Sequence, residues 1–120
     1  MLRPGPFSLS LSVADLAASR AFYEALGFAP SLPAGEGGPW ETYGQTWLML
    51  SADNVVLGLF QGALDQNTFT FNPADLRGLV AQAKAGGVAF LVEPEGEAGA
   101  GQALALDPDG NAILLDQLEA

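Results

Sequence analysis

From Phe7 to Val13 apolar and small polar residues alternate. Phe7, Leu9, Leu11 and Val13 fall on one side; Ser8, Ser10 and Ser12 fall on the other. A period of two is that of a strand with one buried face. At Asp15 the period changes. Leu16, Ser19, Phe22, Tyr23 and Leu26 recur at helical spacing. Asp15 suits the N-cap and Gly27 the left-handed stop, so a helix is expected over 16–26. Pro30 to Pro39 reads as a Gly- and Pro-rich loop. Strands are expected to resume near Trp40 and run through Leu50. A turn at Ser51-Ala52-Asp53-Asn54 and a returning strand from Val55 to Phe60 complete a hairpin.

The pattern then starts again. Thr68, Thr70 and Asn72 answer to Ser8, Ser10 and Ser12; Phe69 and Phe71 answer to Leu9 and Leu11. Pro73-Ala74-Asp75-Leu76 repeats Val13-Ala14-Asp15-Leu16, and Gly87-Val88 repeats Gly27-Phe28, each 60 positions on. Asn72 is the expected N-cap of the second helix, with Pro73 in its first position. Leu76, Leu79, Val80 and Ala83 carry helical spacing, and Gly86-Gly87 ends it. Strands are expected over 88–92, 102–106 and 112–117, the last two flanking the tight turn Asp107-Pro108-Asp109-Gly110-Asn111. The closing hairpins align at an offset of 56, with Val56, Leu57, Gly58 and Leu59 on Ala112, Ile113, Leu114 and Leu115. The smaller offset puts the length difference in the middle loops. The fold class is therefore α+β. Two βαβββ modules, about 5–62 and about 66–118, with eight strands and two helices, form a curved mixed sheet with a central cleft in one domain.

The apolar sides of the opening strands, with Leu57, Leu59, Ile113 and Leu115, are the expected seats of the helices. The opposite faces carry Ser8, Ser10, Thr68 and Thr70 with Gly58, Phe60, Leu114 and Asp116, and would line the cleft. Trp40, Tyr43 and Trp47 come from the strand at its wall. Trp47, Tyr43, Gln45 and Met49 are expected to share one face of that strand, and Trp40, Thr42, Thr46 and Leu48 the other.

Composition narrows the chemistry. The chain has 120 residues, no Cys and no His. Thiol nucleophiles, disulfides, thiolate metal sites and histidine bases are excluded. Fourteen acidic residues face four basic ones, Arg3, Arg20, Arg77 and Lys84, for a net charge of −10. That balance disfavours nucleic acid and anionic membrane as partners. No apolar run is long enough for a membrane span and no signal peptide is read, so the expected location is cytoplasmic. Without His no ordinary serine triad exists, and the cleft faces carry no cation for a phosphate. Asp107 and Asp109 fit turn chemistry better than acid–base catalysis.

Val13 to Tyr23, Leu26-Gly27-Phe28 and Asp107-Pro108-Asp109-Gly110-Asn111 together resemble the vicinal oxygen chelate superfamily of glyoxalase I, bleomycin-resistance proteins and extradiol dioxygenases. Its metal-dependent members place His, Glu or Gln ligands at four strand positions. The resemblance puts these on Ser8, Gly58, Thr68 and Leu114. Glycine and leucine have no donor, and neutral hydroxyls do not hold a catalytic divalent ion. No metal, no other cofactor and no catalytic residue are therefore expected. The expected function is binding or sequestration of a small neutral or cationic, partly aromatic molecule, on the bleomycin-resistance model, by a homodimer. The ligand-binding residues would be Ser8, Ser10, Trp40, Tyr43, Trp47, Gly58, Phe60, Thr68, Thr70 and Leu114. Two alternatives are a glyoxalase-type lyase or isomerase using a displaced carboxylate site (Glu41, Asp53, Asp116) and a ligand-free structural dimer.

Overall fold

A computed structural model describes residues 1–31, 38–42, 44–62 and 64–119. The chain divides into two compact units. Module one is Ser8–Asn67; module two is Thr68–Ala120 together with the N-terminal Met1–Phe7.

Module one runs β1 (Phe7–Ser12), α1 (Leu16–Ala25), β2 (Ala29–Pro30), β3 (Trp40–Thr42), β4 (Gln45–Ala52) and β5 (Val55–Gln61). Its strand order is β2-β4-β5-β1, with β3 also on β4. The opening strand lies parallel to the closing one, in the register Leu9↔Leu57, Ser10↔Gly58, Leu11↔Leu59 and Ser12↔Phe60. Module two runs β6 (Thr68–Phe71), α2 (Leu76–Ala85), β7 (Phe90–Val92), β8 (Gly101–Leu106) and β9 (Ala112–Gln117), in the order β6-β9-β8-β7. Here Thr70 pairs with Leu114 as Ser10 pairs with Gly58. The duplication read from the sequence is thus a duplication of topology and of register.

One face of each module is closed by its helix. Leu16, Leu48, Leu50 and Leu59 form the core of module one, with Leu11, Val13, Tyr23 and Phe28 packed against them. Leu76, Leu79, Val80, Ala103 and Leu115 form that of module two, with Phe71, Phe90 and Ile113 around them. In the opening strands, period-two alternation puts Leu9, Leu11, Phe69 and Phe71 on this face and leaves Ser8, Ser10, Thr68 and Thr70 on the other.

The helix ends are built alike. Asp15 accepts from the Ala18 N–H at 3.1 Å and Asp75 from the Gly78 N–H at 3.0 Å. The Gln61 side chain, from the closing strand, accepts from the Leu16 N–H at 2.7 Å, and Gln117 from the Leu76 N–H at 2.8 Å. Two of the donors that every helix start leaves open are thereby satisfied in each module. At the other end Gly27 and Gly87 take φ of 103° and 100°. The N–H groups of Phe28 and Val88 then return to the carbonyls of Tyr23 and Ala83, the six-to-one bond of a Schellman stop.

Three expectations are corrected. The second N-cap is Asp75, not Asn72; Asn72 is engaged elsewhere, donating from its side-chain nitrogen to the Asp116 carbonyl at 2.8 Å. The segment Trp40–Leu50 is not one strand but a hairpin, β3 and β4, turning at Gly44 with φ of 83°. With the short β2 as well, the described residues hold nine strands. Finally, β7 begins at Phe90 rather than Val88, because Val88 closes the helix stop.

Candidate functional site

The register assembles the face of module one opposite its helix. Directly opposed residues of paired strands share a face. Ser10 lies beside Gly58, Gly58 beside Met49, Ser12 beside Phe60, Phe60 beside Trp47, and Trp47 beside Trp40. The β3–β4 turn is what brings Trp40 round to the side of Trp47. The split of that segment into two opposed sets is therefore wrong for Trp40 and Thr42. Glu41, paired with Thr46, is on the helix side.

Three rings follow one another across this face. Trp47 stacks on Phe60 with centroids 5.7 Å apart and planes at 11°. Trp40 meets Trp47 at 4.6 Å and 45°. The Trp47 indole N–H donates to the Thr42 hydroxyl at 3.2 Å, which fixes the ring's rotation about its long axis. All three rings are half-buried, as are Ser8 and Met49, while Ser10 and Gly58 are buried. Tyr43 lies outside the described residues.

Gly58 explains the position of Phe60. A Cβ at residue 58 would stand 2.6 Å from a Phe60 ring carbon and 3.2 Å from the Met49 sulfur. The space a ligand-bearing side chain would need holds an aromatic ring instead.

The matching face of module two has different chemistry. Thr68 and Thr70 are buried, each with interaction partners; Leu104 and Leu114 are half-buried and directly opposed. Where Trp47 faces Phe60 in module one, Gln102 faces Asp116 in module two. Burial pushes the Asp116 carboxyl above the usual carboxylate range, and a hydrogen bond from the Gln102 side chain draws it partway back. Asp107 moves the other way. It accepts from the Asn111 side chain and N–H, both at 2.8 Å, and from the Asp109 N–H at 2.9 Å. These bonds, the Asn111 side chain foremost, hold its carboxyl below the ordinary value. They also confirm it as a turn residue.

The ligand set expected for a metal does not fit. Ser8 and Thr68 offer neutral hydroxyls, Gly58 and Leu114 nothing, and Phe60 fills the space at 58. Nor is a displaced cage assembled: Asp53 sits in the β4–β5 turn with φ of 51° and Glu41 on the helix side. Among the described residues no group of three His, Cys, Asp or Glu could hold an ion. A hollow of about 520 Å³ lies elsewhere in module two, between the N-terminal segment, the start of α2 and Gln117–Glu119; none of the expected site residues lines it.

In each module one helix on a mixed sheet, with the opening strand parallel to the closing strand, defines a duplicated βαβββ protein. The model of the glyoxalase/bleomycin resistance protein/dioxygenase superfamily matches residues 7–115, and the chain belongs to that superfamily. Among solved structures it is similar to a member of the same superfamily from Vibrio splendidus 12B01, at 20% identity and a TM-score of 0.59. That match covers 98% of this chain and 99% of the other. It is also similar to a Legionella pneumophila protein described as an NAD-dependent benzaldehyde dehydrogenase, at 16% identity and a TM-score of 0.63, covering 94% and 99%. At such identities the likeness is one of fold alone. No curated protein matches. Among the described residues no helix is long and apolar enough to cross a membrane.

Proposed function

We propose that this chain is a metal-independent member of its superfamily that binds a small neutral or cationic, partly aromatic molecule, as a cytoplasmic homodimer. The observation that carries the reading is the Trp40–Trp47–Phe60 ladder on the face opposite the helix. Its rings are half-buried, so part of the ladder stays accessible. Stacking of a flat ligand on such a wall gains apolar burial and ring–ring attraction, and a cation gains from the ring quadrupole as well. Ser10 and Gly58 form the buried floor of this face, and Ser8 supplies a hydroxyl at the rim. No charged residue of β1, β3, β4 or β5 falls on this face, which suits a neutral ligand as well as a cation. Thr68, Thr70 and Leu114 belong to the same reading on module two, with the buried threonines as floor and Leu114 as the contact. The assembly state rests on the resemblance and is checked by light scattering.

The matched pair quinoline and N-methylquinolinium tests the site. The chain has two tryptophans, so two indole N–H signals report directly on the ladder by NMR. Saturable shifts of the Trp47 signal with either compound are expected, and Trp47→Leu should remove the binding. Absence of any shift with both compounds overturns the reading. So does stoichiometric divalent metal in the purified protein together with glyoxalase turnover.

A further inference from the structure

The two modules place different pairs at one equivalent position. In module one the opposed residues of the closing hairpin are Trp47 and Phe60; in module two they are Gln102 and Asp116. Phe60 and Asp116 are 56 positions apart, the offset that superposes the hairpins. An aromatic contact in one copy is a carboxyl in the other.

The surroundings of Asp116 point to what it would bind. It is half-buried on a strand whose same-side neighbours are Leu104 and Leu114, with Leu106 further along. Its side-chain partner is the neutral amide of Gln102, and neither ion pair found among the described residues involves it. The basic residues on helices are occupied. Arg20 pairs with Glu24 and Lys84 with Glu93, while Arg77 on α2 donates to the Glu95 and Gly99 carbonyls. A carboxyl lodged at the end of an apolar strip, with only an amide for company, has strong remaining capacity to accept charge-assisted hydrogen bonds. Its natural complement is an ammonium group on an aliphatic body.

We propose that the face of module two opposite its helix is a subsite for an organic ammonium ion. Asp116 is the ionic contact, Gln102 its positioning residue, and Leu104 and Leu114 the apolar floor. The proposal rests on the reading of these faces as ligand-binding, and adds to it an ammonium-bearing ligand class and the residue that selects it.

The probes are n-hexylammonium, n-hexanol and hexanoate, titrated into the intact protein and followed by NMR at the Gln102 side-chain amide and the Leu104 and Leu114 methyl groups. The ammonium should give saturable shifts at all three residues. Hexanol should bind at least tenfold more weakly, and hexanoate should leave the Gln102 amide unmoved. Asp116→Asn should weaken the ammonium at least tenfold. Asp109→Asn, which removes the same charge from an exposed turn, should change its affinity less than twofold, excluding a general effect of net charge. Equal affinity for hexylammonium and hexanol, or unchanged affinity in Asp116→Asn, overturns the subsite. Quinoline, being neutral at pH 7, is run in parallel on the Trp47 signal. If it still binds in Asp116→Asn while the ammonium shows no preference, the subsite fails and the aromatic site stands. If neither probe binds, both fail.

Discussion

Gly58 gives its side-chain space to a neighbour. With no Cβ there, the Phe60 ring folds over the strand and lies flat against Trp47. Gly58→Ala would put a carbon 2.6 Å from that ring, and the ring must swing away. The expected cost is about 1–3 kcal/mol of stability, typical of overpacking. A change in near-ultraviolet circular dichroism should accompany it, because the stacked pair is broken; an unchanged spectrum would show that the ring does not depend on the glycine. Asp116 makes a prediction of opposite sign. Its carboxyl titrates higher in the folded chain than unfolded, chiefly from burial, so the folded state holds the proton more tightly. Stability then falls as pH rises from the unfolded value, near 3.9, through the folded one, and the penalty persists above it. Asp116→Asn should therefore be more stable than the parent at pH 7 and no more stable near pH 3, as read by urea unfolding at the two pH values. A carboxyl retained at a cost to stability is what a ligand contact would look like. From the sequence, Gly58 was readable as a missing donor, but not as a seat for Phe60, since that depends on which way a ring two residues away turns.

The helix starts show where sequence reading stops. Asp15 is a sufficient signal by itself: a short acceptor just before a 3.6-residue period. In the second copy Asn72-Pro73 offers an equally good local signal three residues early, and only packing decides against it. Asn72 is drawn to the Asp116 carbonyl, and Asp75 caps. The glutamines were invisible because their partners lie 45 and 41 positions away. They are nonetheless equivalent in the two modules, and their substitution separates local from tertiary capping. Gln117→Leu leaves a buried Leu76 N–H without an acceptor and should cost about 1–3 kcal/mol. Gln61→Leu exposes the half-buried Leu16 N–H to water and should cost less. Asp15→Ala and Asp75→Ala should each cost about 1 kcal/mol. Denaturant midpoints rank the four. A Gln117 variant as stable as the parent would show that the strand-to-helix bond is not a structural device. The aromatic face follows the same logic. Each ring could be assigned to a strand from its period, but the turn at Gly44 reverses the chain, and parity counted through a turn gives Trp40 the wrong side.

At the scale of the molecule, duplication made the fold legible, because the opening strand, the helix and the closing hairpin each occur twice. It made function less so, because the copies differ at the positions of the proposed sites, Phe60 against Asp116 and Gly58 against Leu114. What both modules share is acidity. The net charge is −10, and the ion pairs found among the described residues are Arg20–Glu24 and Lys84–Glu93, both exposed. Exposed pairs contribute little, so the larger electrostatic effect in the folded chain is repulsion among carboxylates brought within reach of one another. Salt at 0.1 M shortens that reach to about 10 Å. Sodium chloride should therefore raise the thermal midpoint from 10 mM upward, steeply at first and levelling by about 0.5 M, as screening saturates. A midpoint that falls with salt would show that the two ion pairs outweigh the repulsion. One that climbs linearly without levelling would point to salting-out of apolar surface instead. The same titration bears on ligand capture. If the acidic field steers a cationic ligand, the association rate of N-methylquinolinium should fall over the salt range in which the midpoint rises, while that of neutral quinoline stays constant.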